Sequence, residues 1–125
     1  VKEQITAGHA AAPSGAYSQA IRAGDFVYVS GQGPLDPVTG EVVGSTIEEQ
    51  TARTLDNVKS ILEAAGATLA DVVKSTVHLS SIDLFDAFNE VYASYFPDPK
   101  PARTTVGSEL LGIMVEIDVV AHAPR

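Results

Sequence analysis

The chain has 125 residues, 45% hydrophobic and 19% charged, the balance of a globular chain with a single core rather than a disordered one. Eight Lys and Arg against sixteen Asp and Glu leave a formal charge of −8, with no run of three basic residues, so a polyanion is repelled at long range, which argues against nucleic acid as the main partner. No stretch approaches the roughly 18 apolar residues that cross a bilayer, the opening Val1-Lys2-Glu3-Gln4 lacks the apolar run of a signal peptide, and the absence of cysteine removes disulfides and zinc–thiolate sites and fits a reducing, cytoplasmic setting.

Glycine and proline punctuate the first 44 residues, the pattern of short strands joined by turns. Gln4–Thr6, Ala20–Ala23 and Phe26–Ser30 are predicted strands, with Ala23-Gly24-Asp25 as a hairpin turn. A second loop runs through Asp36-Pro37-Val38-Thr39-Gly40. A helix is predicted from Ile47 to Ala65, entered by a capping box at Ser45 and Glu48 and closed by Gly66. Its apolar stripe is Ile47, Leu55, Val58, Ile61, Leu62 and Ala65.

Val72–Leu79 alternates as a half-buried strand, with Val73, Val77 and Leu79 on one face and a break at Ser75. A second helix runs from Asp83 or Leu84 to Phe96, with Leu84, Phe88, Val91, Tyr92 and Tyr95 on its apolar face and Pro97 and Pro99 as its stop. Thr104–Val106 and Ile113–Ala121 are the last strands. In the latter, Ile113, Val115, Ile117 and Val119 alternate with Met114, Glu116, Asp118 and Val120. The order of elements implies an α+β sandwich, one sheet with two helices on one face, in a single domain over residues 1–125.

Several segments in register resemble the YjgF/RidA family of imine and enamine deaminases. They are Pro13-Ser14-Gly15-Ala16-Tyr17-Ser18-Gln19-Ala20, Phe26-Val27-Tyr28-Val29-Ser30-Gly31-Gln32, Gly40-Glu41-Val42 and Gln50 through Leu55-Asp56-Asn57-Val58. Further on come Ala64-Ala65-Gly66, Phe88-Asn89-Glu90-Val91-Tyr92, Pro101-Ala102-Arg103-Thr104-Thr105-Val106 and Val115-Glu116-Ile117. The resemblance implies a chorismate mutase-like fold with a mixed sheet, assembled as a homotrimer with ligand clefts between subunits. It implies hydrolysis of 2-iminobutanoate and 2-iminopropanoate to 2-oxo acids and ammonia, with no metal or cofactor.

Arg103 has a chemical reason of its own to hold a 2-imino acid, because a guanidinium fork binds a carboxylate through two charge-assisted hydrogen bonds. Glu116 sits on the face of its strand opposite Val115, Ile117 and Val119, where partial burial would suit it to general acid–base work on water. Asp118 shares that face and is expected to be a solvated carboxylate. The strand pattern does not separate the two acids, and the resemblance selects Glu116. The resemblance also assigns substrate-lining positions to Tyr17, Ser30, Gly31, Asn89 and Thr105, the last where many relatives carry cysteine. Asn89 is expected to face a neighbouring subunit.

The loop Ser108-Glu109-Leu110-Leu111-Gly112 departs from the family pattern and is expected to border the cleft and tune its substrate range. His9, His78 and His122 have no metal-ligand spacing, although His78 and His122 lie on strands that can meet. Two alternatives stay open: a non-catalytic or chaperone-like trimer that binds carboxylate ligands in the same cleft, and an endoribonuclease, which the acidic charge disfavours.

Overall fold

The computed structural model describes residues 1–125. Its elements in chain order are β1 (Glu3–Ile5), β2 (Ala20–Ala23), β3 (Phe26–Gln32), α1 (Ile47–Ala64), β4 (Val72–Leu79), α2 (Phe85–Tyr95), β5 (Ala102–Gly107) and β6 (Val115–His122). One sheet takes all six strands in the order β1-β2-β3-β6-β4-β5. The β4–β5 pair is parallel and every other pair is antiparallel, so the sheet is mixed.

The alternation of β6 decides which face is which. Val115, Ile117, Val119 and Ala121 are buried, and Val27 and Val29 of β3 and Val77 and Leu79 of β4 join them in the core. Both helices cover this face, α1 over β3 and β6 with α2 beside it. Burying a Val, Leu or Ile side chain is worth about 1.5–3 kcal/mol, so a slip of one residue in β6 would forfeit several kcal/mol and bury Glu116 and Asp118 instead.

Helix α1 meets its expected stripe, since Ile47, Leu55, Val58, Ile61 and Leu62 are buried, and Gly66 closes it at φ +80°. It starts at Ile47 as predicted, but its cap is one residue later than predicted. Thr46, not Ser45, is the N-cap: Thr46 Oγ1 accepts from Glu49 N at 3.2 Å, and Glu49 Oε1 accepts from Thr46 N at 3.2 Å. Ser45–Glu48 and Thr46–Glu49 have the same spacing, and the geometry selects the second. The buried polar residues of α1 tie it to the segments beside the sheet. Asn57 Nδ2 donates to the carbonyls of Gly33 and Leu35, while Gln50 bridges Gly44 O and Met114 N.

Strand β4 departs from strict alternation. A register shift between Val72 and Lys74 turns Val73 outward, and Ser75 is fully buried in the core face instead. The apparent break at Ser75 is therefore a core position, and its hydroxyl meets the Tyr92 hydroxyl at 2.6 Å. Buried hydroxyls need such partners.

No helix covers the second face of the sheet. Lys74, Thr76 and His78 of β4 stand there opposite Val120, Asp118 and Glu116 of β6. Asp118 is not the freely solvated acid expected from sequence. Burial pushes its carboxyl above the usual range, opposed by the positive charges of His78 and Lys74.

Two outcomes check these points. Thr46→Ala is expected to cost about 1 kcal/mol and Ser45→Ala less than about 0.5 kcal/mol in urea unfolding, because only Thr46 caps the helix. The folded chain holds the Asp118 proton more tightly than the unfolded chain, so this group's contribution to stability falls as pH rises from the ordinary aspartate range through its raised value. Asp118→Asn is therefore expected to raise the unfolding midpoint at pH 7 and to lose that advantage in acid; an equal gain at both pH values would contradict it.

Candidate functional site

Arg103 lies on β5, the edge strand, opposite Ser75 of β4 and on the helix-covered face. Its guanidinium is held from beneath by aromatic rings of α2, with the carbon at 4.7 Å from the Tyr92 ring centre and at 5.4 Å from that of Phe85. Nη1 donates to Asn89 Oδ1 at 2.8 Å. Asn89 thus serves the arginine of its own chain, where the sequence pointed it to a neighbour. Arg103 and Asn89 line a cleft of about 340 Å³ together with Tyr92, Ala93, Lys100 and Pro101. Burial raises the Tyr92 phenol above its usual range, offset in part by Ser75 and by the Arg103 charge.

Thr105 is on the same face of β5, two residues on, opposite Val77. Its hydroxyl is buried without a partner in the chain. A buried hydroxyl in that state is costly unless a ligand or water completes it.

Glu116 lies on the uncovered face of β6 and lines a cleft of about 260 Å³ with Tyr17, Ser30 and Gly31. The β3–β6 register shifts between Val29 and Gln32, which brings Ser30 and Gly31 out of the ladder and beside Glu116. The approach is close: a Cβ at Gly31 would stand 2.9 Å from the Glu116 carboxyl carbon. Only glycine leaves that carboxylate where it is. Ser30 Oγ donates to Ser18 O at 2.6 Å, so this hydroxyl offers a ligand its lone pairs. The Tyr17 hydroxyl is exposed and approached by the Ser14 amide at 3.2 Å. Gln19 anchors the segment leading to it, with Oε1 accepting from Ala7 N at 2.6 Å and Nε2 donating to Ala11 O.

The candidate residues therefore fall into two groups. Arg103, Asn89 and Thr105 belong to the covered face, whereas Glu116, Tyr17, Ser30 and Gly31 belong to the other. Strand β4 separates β5 from β6, which places the two groups about 10 Å apart across the sheet. A further three positions of register, from Ser75 to His78, add about 10 Å along it. Neither Arg103 nor Glu116 is in an ion pair within the chain; the ion pairs are Lys100–Asp98 and Arg125–Glu3.

Other expectations are revised. The loop 108–112 lends no lining residue to either cleft; Glu109, Leu110 and Leu111 line a recess of their own. His78 and His122 do not meet, because antiparallel pairing sets His78 against Glu116 and leaves His122 at the far end of β6, against the Phe26 ring. His78 Nδ1 instead lies 2.7 Å from Ser108 Oγ. No three His, Cys, Asp or Glu side chains gather as a metal site, and no helix is long and apolar enough to cross a membrane.

Two residues of the Arg103 cleft were not singled out from sequence. Tyr92 is the core residue its stripe predicts, and its hydroxyl, facing the serine that interrupts β4, is the signal of a second role. Lys100 had no signal beyond standing three residues before Arg103.

The family model described as Endoribonuclease L-PSP matches residues 7–123. The RutC family protein SSO3206 of Saccharolobus solfataricus is 51% identical over 124 residues, 98% of each chain. The chloroplastic Reactive Intermediate Deaminase A of Arabidopsis thaliana is 43% identical over 122 residues, 96% of this chain and 65% of that longer protein. Among solved structures, a putative endoribonuclease (TM0215) of Thermotoga maritima superposes with a TM-score of 0.94 at 46% identity over 100% of both chains. TdcF of E. coli with bound serine superposes at 0.90 with 33% identity, over 96% of this chain and 98% of that one. The match along almost the whole length, in sequence and in fold, establishes that the chain belongs to the endoribonuclease L-PSP family, which is the YjgF/RidA family.

Proposed function

We propose that the protein, acting as one domain over residues 1–125, hydrolyses reactive 2-imino acids such as 2-iminobutanoate and 2-iminopropanoate to 2-oxo acids and ammonia. The active sites are clefts between the subunits of a homotrimer, each completed by Arg103, Asn89 and Thr105 of one subunit and Glu116, Tyr17, Ser30 and Gly31 of the next. One observation carries this reading: an arginine and a glutamate with no ion-pair partner in the chain line two separate clefts on opposite faces of one sheet. Each cleft holds half of what imine hydrolysis needs.

The reaction follows from those groups. Arg103 takes the substrate carboxylate through the edge of the guanidinium that Asn89 does not use, and the Tyr92 ring beneath keeps the fork in plane. Glu116 removes a proton from water as its oxygen bonds to C2, and the C=N electron pair moves to nitrogen. Glu116 then returns the proton to the nitrogen of the carbinolamine. As the hydroxyl oxygen forms the C=O bond, Glu116 takes its proton and passes it to the same nitrogen, so ammonia leaves with the C–N pair. Tyr17 and the Ser30 lone pairs orient the water.

Serine bound to TdcF favours a second reading, in which the same cleft holds carboxylate ligands without turnover. Ligand binding without imine hydrolysis on one sample would select it. The family description also carries a ribonuclease, and the charge of −8 weighs against that activity here.

The direct test generates 2-iminobutanoate with a threonine dehydratase and follows oxo-acid release. Arg103→Ala and Glu116→Gln are each expected to reduce the enzyme-dependent rate at least about a hundredfold, since each removes a charged group from the transition state. Equal rates with and without enzyme would overturn the reading. Mixing the two inactive variants by joint refolding is expected to restore about a quarter of the wild-type rate, the fraction of sites in a cyclic trimer that draw an intact half from each neighbour. No recovery would place both residues in one subunit's site. Gly31→Ala is expected to cost the fold less than about 1 kcal/mol, because the Glu116 tip can swing aside, while lowering kcat at least about tenfold.

A further inference from the structure

We propose that the Arg103 cleft selects 2-imino acids bearing a second carboxylate on the side chain, and that Lys100 binds that second group. This rests on the imine-hydrolase reading and names the substrate class for it. The chain as a whole is strongly acidic, yet the cleft is lined by two cations, Arg103 and Lys100, and by no acid. The other lining residues are Asn89, Tyr92, Ala93 and Pro101, none of which supplies a negative charge.

Lys100 is fixed rather than trailing in solvent. Its ammonium donates to the carbonyls of Ala93 at 3.0 Å and of Phe96, the unpaired end of α2. An ammonium has three donors, so one remains for a ligand. Asp98 competes only weakly for it: the pair is 3.7 Å apart and the aspartate is 88% exposed, which makes it a screened surface contact.

Arg103 likewise keeps free donors after its single bond to Asn89. Two residues, Pro101 and Ala102, separate the two cations, at most about 10 Å between Cα atoms, and both side chains reach into the same cleft. A four- or five-carbon diacid spans two such charges, and the cleft of about 340 Å³ accommodates it. A small monocarboxylic imine would leave the Lys100 donor to water.

The products are stable stand-ins for the transient imines, so calorimetric binding of oxaloacetate and 2-oxoglutarate is compared with that of 2-oxobutanoate. The wild type is expected to bind the diacids about tenfold more tightly, the worth of one charge-assisted hydrogen bond. Lys100→Met should reduce that ratio to about one while leaving 2-oxobutanoate within about twofold, and Lys100→Arg should keep it. Asp98→Asn, which removes only that screened contact, should leave the ratio within about twofold. A wild-type ratio near one overturns the proposal, as does a Lys100→Met loss that is equal for mono- and diacids. Should Lys100→Met fail to fold, Lys100→Gln takes its place, and a ratio unchanged from the wild type overturns the proposal. Arg103→Ala separates the two levels: if it leaves all binding intact, the carboxylate clamp itself fails, whereas a missing diacid preference with Arg103 still required sinks only the Lys100 assignment.

Discussion

The two-residue period of β6 is the constraint on which the rest of the structure depends. It sends four apolar side chains into the only covered face of the sheet and leaves Glu116 and Asp118 on the other. The strand lies between β3 and β4, so its register is fixed from both sides, and neither acid can exchange places with a core residue without losing the core. The irregularity in β3 at Ser30 and Gly31 is tolerated because β6 beneath it is regular. The absence of a side chain at Gly31 leaves the space that the Glu116 carboxylate occupies against β3.

A second support acts through polar groups that serve no ligand. Arg22 is buried on β2, with Nη1 donating to Ala123 O at 2.8 Å and Nη2 to Ala65 O at 2.7 Å. It joins the segment after β6 to the carbonyl end of α1, where a cation is favoured by the helix dipole. Asn57 and Gln50 do the same for the other end of the layer, holding the loop after β3 and the residue before β6. The core faces of sheet and helix supply most of the stability, and these few donors set how the layers are aligned.

Much of this was legible in the sequence because it is periodic. The extent of α1, its glycine stop, the alternation of β6 and the hairpin at Gly24 follow from local patterns that tertiary contacts reinforce. What escaped was of two physical kinds. Some signals were degenerate at short range: two overlapping capping boxes at residues 45–49, and a β4 whose outward-turned Val73 mimics a core position. Others depended on strand order, which no periodicity encodes. Arg103 and Glu116 fall on opposite faces because Arg103 pairs with the core-facing Ser75 of β4 while Glu116 pairs with His78, three positions on and on the other face. Likewise Asn89 turns to Arg103 only because α2 lies over that edge of the sheet. The burial that raises Asp118 comes from the same arrangement, and a strand pattern read alone gives it no more weight than Glu116.

The distribution of aromatic residues has an optical consequence. The chain holds four tyrosines and no tryptophan, so phenol rings alone dominate its near-ultraviolet absorption and emission. One of them, Tyr92, lies directly under the guanidinium of Arg103, and another, Tyr17, edges the cleft of Glu116. Each half of the composite site thus carries its own chromophore. An anion settling on the guanidinium alters the electric field at one ring, and water displaced beside the carboxylate alters the solvation of the other. The unmodified protein is in this sense its own spectroscopic reporter, with no label to attach and no indole background to subtract.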